Sequence, residues 1–159
     1  MAQRRQALID QAGFALQAYQ RSSQAFDDAV GRALGLNATD LRGLDWLADG
    51  PKTAGELSRG TGLSSAATTA LIDRLEGKGY LRRVADPADR RRVLVEMSPA
   101  GAERVGRLYG PLVRDGAKLF DGVTTSEIAR MRDWLIAARA VTDEHRDRIR
   151  AASAPPADP

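Results

Sequence analysis

Two short segments carry side chains suited to meeting a polyanion. The first is Ser64-Ser65-Ala66-Ala67-Thr68-Thr69, four hydroxyls and two alanines in a row. Side chains this small let a backbone approach a surface closely, and the N-terminus of a helix starting here would point free amides at phosphates. The hydroxyls can reach base edges or phosphate oxygens, and a threonine methyl can touch a thymine methyl in the DNA major groove. The second segment is Asp86-Pro87-Ala88-Asp89-Arg90-Arg91-Arg92, with three consecutive guanidiniums beside two carboxylates. A protruding loop of this kind can insert one arginine into a narrow, electronegative minor groove. Its carboxylates would orient the guanidiniums and hold the loop rigid.

Catalytic chemistry has little to work with. The 159 residues contain no cysteine and a single histidine, His145, so thiolate nucleophiles, disulfides, zinc–thiolate sites and multi-histidine metal sites are excluded. His145 lies in the charged run Asp143-Glu144-His145-Arg146-Asp147 and is expected to face solvent. There is no nucleophile elbow, no P-loop and no dinucleotide-binding glycine motif. The carboxylate pairs Asp27-Asp28 and Asp143-Glu144 are adjacent on helical segments and point apart. We expect no enzyme activity, no cofactor and no metal.

Charge is concentrated where the two segments lie. The chain carries 24 Lys+Arg against 21 Asp+Glu, a net charge of +3. Residues 51–100 hold nine of the cations and six of the anions, which is the whole excess. An electrostatic footprint for phosphates belongs in that middle third. No apolar h-region follows Met1-Ala2-Gln3-Arg4-Arg5-Gln6 and no long apolar run appears later, so the expectation is a soluble cytoplasmic protein without a membrane partner.

The elements that must position these segments follow from periodicity and caps. Apolar residues at helical spacing predict one helix over Leu8–Leu34, with Gly35 as its stop. Asn37 with Asp40 three residues on predicts a short helix carrying Leu41, Leu44 and Leu47. Asp49-Gly50-Pro51 breaks the chain. Thr53 and Glu56 form a capping-box pattern opening a two-turn helix that ends near Gly60. Ser64 or Ser65 caps a third short helix through Leu71, Ile72 and Leu75. Two strands are predicted at Tyr80–Val84 and Val93–Met97, joined by the charged loop. Ser98 and Pro99 start a long helix bearing Val105, Leu108, Leu112 and Leu119. Thr124 and Glu127 start the last helix, with Ile128, Met131, Leu135, Ala138 and Val141, and residues 151–159 are read as a disordered tail.

The expected fold is therefore mainly α (α+β). A winged helix-turn-helix at residues 37–98 sits between long helices at 1–36 and 99–150, which form a helical dimerisation region. The apolar faces of those helices exceed what one small domain needs, which argues for a homodimer.

In order and spacing, the stretches from Leu63 to Leu81, Asp86 to Arg91 and Val95 to Gly101 resemble the multiple antibiotic resistance regulator (MarR) family, and the similarity runs from about Phe14 to Val141. The most specific parts are Asp73-Arg74-Leu75-Glu76 with Gly79 behind it and the Asp89-Arg90-Arg91 wing. The resemblance implies a homodimeric winged-helix repressor that binds double-stranded DNA at a pseudo-palindromic operator and is released by a small organic effector. It implies major-groove contacts from Ser64, Ser65, Thr68 and Thr69, and a phosphate contact from Arg74. It places Arg91 in the minor groove with Asp89 supporting it, with Arg90 as the competing wing-tip residue. The absent cysteine excludes thiol-based oxidant sensing, and the single histidine excludes a zinc-sensing cluster. What remains is an effector, often an aromatic acid or phenol in this family, in a crevice between the long helices and the winged domain. Phe14, Tyr19, Trp46 and Tyr109 are the residues placed to line it, whereas Trp134 is expected in the dimer interface. The rival reading is a winged helix used as a protein–protein interaction module, its wing arginines facing an acidic partner.

Overall fold

A computed structural model describes residues 2–89 and 91–152. Helix α1 spans Ala2–Leu34, six residues longer at its start than the apolar periodicity indicates. Ala2 to Ala7 are good helix formers but polar or small, so propensity extends the helix where periodicity is blind. Gly35 ends it in the left-handed region at φ 66°. Helix α2 is Ala38–Trp46, and its capping box closes from both sides. The Asp40 N–H donates to Asn37 Oδ1 at 2.9 Å and the Asn37 N–H donates to Asp40 Oδ2 at 3.2 Å. Helix α3, Ala54–Thr61, has the reciprocal box of Thr53 and Glu56 and a left-handed Gly62 at its end. Helix α4, Ser65–Gly77, is capped by Ser64, whose hydroxyl accepts from the Ala67 N–H.

Strands β1 (Leu81–Ala85) and β2 (Val93–Met97) pair antiparallel, with Leu81 opposite Met97 and Ala85 opposite Val93. The first strand starts one residue later than predicted. Tyr80 belongs to the turn ending α4, where its N–H donates to the Leu75 carbonyl at 2.8 Å. Lys52 adds a rung on the other side of β2, exchanging two backbone bonds with Val95. Helix α5, Pro99–Ala117, is capped by Ser98, whose hydroxyl accepts from the Gly101 N–H at 2.9 Å. It packs so closely at its start that a Cβ on Gly101 would lie 2.3 Å from the Tyr80 carbonyl oxygen. The helix stops before Leu119, which lies in a 3-10 turn at Lys118–Phe120. Helix α6 is Thr125–Ala152. Ala151 and Ala152, expected in the tail, are its last residues; the remainder of that expected tail, 153–159, lies outside the described residues.

The chain divides between Pro111 and Leu112 into two units. In the first, Leu44, Leu47, Leu57, Leu71, Ile72, Leu75, Leu81 and Val95 form one core under α2, α3, α4 and the hairpin. Each of these side chains contributes about 1.5–3 kcal/mol by leaving water. Helix α1 adds only Val30 and Gly31 to the buried set. In the second unit, α6 buries nothing, and Ile128, Met131, Trp134, Leu135 and Val141 stand exposed along it.

Candidate nucleic-acid interface

Helix α4 is amphipathic in a way that decides which hydroxyls can leave the protein. Leu71, Ile72 and Leu75 are buried, and Thr68, one turn before them, falls on the same face at 1% exposure. Its hydroxyl donates to the Ser64 carbonyl at 2.9 Å. The expectation that Thr68 meets a groove is therefore corrected. The 3.6-residue period turns it inward, and its side chain seats the helix on the core. Ser64, Ser65 and Thr69 remain exposed. Thr69 donates to the Ser65 carbonyl at 3.0 Å, which leaves its oxygen free to accept.

Arg74 is also committed elsewhere. Its Nε and Nη2 donate to Asp40 Oδ1 at 3.0 and 2.5 Å, and Asp40 is 1% exposed. The pair braces α4 against α2, because leaving it would strand a buried carboxylate, while the Arg74 side chain stays 39% exposed. Two further arginines are tied down. Arg83 on β1 is held by Asp73 at 2.5 Å and by Glu76, both on α4. The hydrogen bond that the Arg83 guanidinium donates to Asp73 is the main reason its pKa lies above the ordinary arginine value. Arg82 pairs across the hairpin with Glu96 at 2.6 Å. The Arg83 pairs fix the hairpin against α4, and the Arg82 pair ties its two strands together.

The loop between the strands is ordered by its aspartates through backbone bonds. Asp86, 8% exposed, accepts from the Ala88 N–H at 2.9 Å, and its other oxygen lies 3.6 Å from the Arg92 guanidinium. Asp89 accepts from the Arg91 N–H at 3.0 Å on its side chain and from the Arg92 N–H at 2.9 Å on its carbonyl. Asp89 thus shapes the turn beneath Arg91, and among the described residues it grips no guanidinium. Arg91 is exposed and has no ion-pair partner among the described residues. Arg90 lies outside the described residues.

A cavity of about 730 Å³ opens beside this block, lined by the end of α1, by α2, and by Met97, Val105 and Tyr109. Of the four residues expected to line a crevice, only Tyr109 does. Its hydroxyl donates to Asp27 Oδ1 at 2.7 Å, and Phe26 meets its ring edge-on at 5.4 Å. Burial first, then the Asp27 carboxylate, pushes the Tyr109 phenol well above its ordinary range. Phe14 and Tyr19 are 71% and 70% exposed on α1 and do not line the cavity, whose wall on that helix begins at Ser23. Trp46 rests on Gly60, where a Cβ would lie 2.6 Å from its indole. Among the described residues no group of three or more His, Asp or Glu could hold a metal ion, and no helix is long and apolar enough to cross a membrane.

Residues 34–92, from the end of α1 to the wing, match the MarR family. Over 126 residues the chain is 39% identical to the uncharacterised HTH-type transcriptional regulator YcgE of Bacillus subtilis, spanning 79% of this chain and 82% of that one. The chain belongs to the MarR family. It is a winged helix-turn-helix, DNA-binding transcriptional regulator, from a family that is not enzymatic. The MarR-family architecture recurs at low identity in solved structures. A single-residue mutant of MepR from a multidrug-resistant Staphylococcus aureus isolate superposes with a TM-score of 0.65 at 14% identity, over 82% of this chain and 96% of that one. Wild-type apo MarR of Escherichia coli gives 0.54 at 23%, over 79% and 95%. At these identities the likeness concerns the fold alone.

Several residues that shape this MarR-family site escaped sequence reasoning. Asp40 reads locally as a helix cap, and its second role as partner of Arg74 spans 34 residues. Asp27 reads as half of an adjacent carboxylate pair that points apart, yet it is half-buried against Tyr109. The usable signal was periodicity: placing Thr68 on the Leu71–Leu75 face would have removed it from the contact set.

Proposed function

We propose that this regulator is a homodimeric repressor that binds a pseudo-palindromic operator and is released by a small organic ligand. The observation that carries the reading is the pairing, in one compact unit, of a small hydroxylic helix start with an exposed wing arginine that has no ion-pair partner among the described residues. Ser64, Ser65 and Thr69 read base edges or phosphates in the major groove. Arg91 enters the adjacent minor groove from the turn that Asp89 shapes, and Arg90 stays with the wing contacts on its place in the sequence. Thr68 and Arg74 contribute by fixing α4.

Dimerisation through residues 1–36 and 99–150 explains why Phe14, Tyr19, Trp134 and Leu135 stand exposed in a single chain. Faces of this kind in a water-borne protein mark an association surface. Two-fold symmetry then sets the half-site centres about 10 bp apart, or a multiple of that. A dimer seated across both half-sites blocks that DNA to other proteins, which is repression. The cavity beside Tyr109 receives the effector, and its occupation favours a dimer arrangement that cannot span both grooves.

Fluorescence anisotropy on the duplex upstream of the protein's own gene, against a scrambled duplex at roughly 50 and 200 mM salt, tests the reading. The expected result is a selective dissociation constant of about 10⁻⁸–10⁻¹¹ M, with a salt slope showing several phosphate contacts. Equal, weak binding to both that persists across duplexes selected from a random pool would overturn it.

A further inference from the structure

Among the groups lining the cavity, one charge is partly withdrawn from water. Asp28, Arg32, Arg42 and Asp45 border it from exposed positions, where solvent screens them and the two signs offset each other. Asp27 is half-buried. Its Oδ1 accepts the Tyr109 hydroxyl at 2.7 Å, while Oδ2 has no hydrogen-bond partner among the described residues. Around it, Leu36, Leu44 and Met97 supply apolar wall, and the Phe26–Tyr109 ring pair stands alongside.

We propose that the cavity selects a hydrophobic organic ammonium ion, with Asp27 as its counter-ion, and disfavours the aromatic acids and phenolates that the family resemblance suggests. An ammonium N–H donates to the free Oδ2, the neighbouring Tyr109 ring adds a cation–π attraction, and the hydrocarbon part fills the apolar wall. A carboxylate or phenolate in the same place meets Asp27 as a like charge, in surroundings less polar than water, and one of the two must protonate or leave. The raised Tyr109 phenol is consistent with this. It keeps its proton, so it donates to Asp27 and does not add a second anion. The proposal rests on the reading of this cavity as the effector site.

Isothermal titration of the full chain with a naphthylmethylammonium ion and with the corresponding naphthoate, nearly equal in shape and opposite in charge, separates the two. The expected result is that the ammonium binds about tenfold or more tightly than the naphthoate, and that Asp27→Asn removes about that factor. Ala48→Trp, which obstructs the cavity from its exposed edge, should weaken the ammonium as well. Naphthoate binding at least as tightly, and weakened by Ala48→Trp, would overturn the charge assignment and leave the effector-site reading intact. If neither probe responds to Ala48→Trp, both fall together. Preference for the ammonium with no loss in Asp27→Asn would remove Asp27 as the counter-ion. Should Asp27→Asn fail to fold, the comparison of the two probes on the unaltered chain still decides the charge.

Discussion

The carboxylate of Asp40 on α2 and the guanidinium of Arg74 on α4 stand 34 residues apart in the chain and meet in one ion pair, the acid 1% exposed and the base 39%. Through this pair the helix bordering the cavity holds the helix that carries Ser65 and Thr69. Its two ends differ in solvation, and that asymmetry makes the pair testable.

Arg74→Ala strands a buried carboxylate and should cost about 3–5 kcal/mol of stability. Asp40→Asn keeps one oxygen for the Asn37 N–H, turns its amide toward an arginine that can swing out to water, and should cost only about 1–3 kcal/mol. Urea unfolding of the two variants reads the difference. Equal costs, or a larger cost for Asp40→Asn, would mean that the pair does not brace α4.

The wing yields a contrast of sign. Arg91→Ala should weaken operator binding by about 1–3 kcal/mol and lower the salt slope by about one, with an unchanged melting temperature. Asp89→Ala removes a negative charge near phosphates, which by Coulomb's law alone would tighten binding. Because Asp89 holds the turn under Arg91, binding should weaken instead. Tighter binding by Asp89→Ala would contradict the turn's role.

Oligomeric state follows from the exposed apolar residues of α1 and α6. Sedimentation at micromolar concentration should give twice the 17.1 kDa of one chain, and Trp134→Asp should move the mass toward a single chain. A single-chain mass for the unaltered protein would remove the dimer.

Tyr109 sets an alkaline limb in stability. Its folded pKa is raised above the ordinary value of 10.0 by burial and by Asp27, so the folded chain retains a proton that the unfolded chain gives up. The stabilisation is fully present below pH 10 and is lost as pH rises toward the folded value. Unfolding at about pH 9 and about pH 11 should show the unaltered chain losing more stability than Tyr109→Phe. Parallel losses would place the phenol in an ordinary environment.

Local signals in the sequence were legible because local physics decides them. The caps at Asn37, Thr53 and Ser98 are satisfied within three residues, and the hairpin is bounded by its own turn chemistry. Long-range commitments were not. The Asp40–Arg74 pair, the hold of Asp73 and Glu76 on Arg83 and the burial of Asp27 beside Tyr109 depend on how helices pack, and no spacing rule encodes that. Aromatic type misled for the same reason. Phe14 and Tyr19 carry the right chemistry for a ligand wall, but they stand exposed on α1 ahead of Ser23, where the cavity lining begins.

Selection of bound duplexes from a random pool tests the central claim most directly, using the unaltered chain beside Ser65→Ala/Thr69→Ala. The account predicts enrichment of an inverted repeat with half-site centres about 10 bp apart or a multiple of that, and relaxed base preference in the double variant. Recovery of no common sequence, or the same sequence with equal stringency from both proteins, would contradict it.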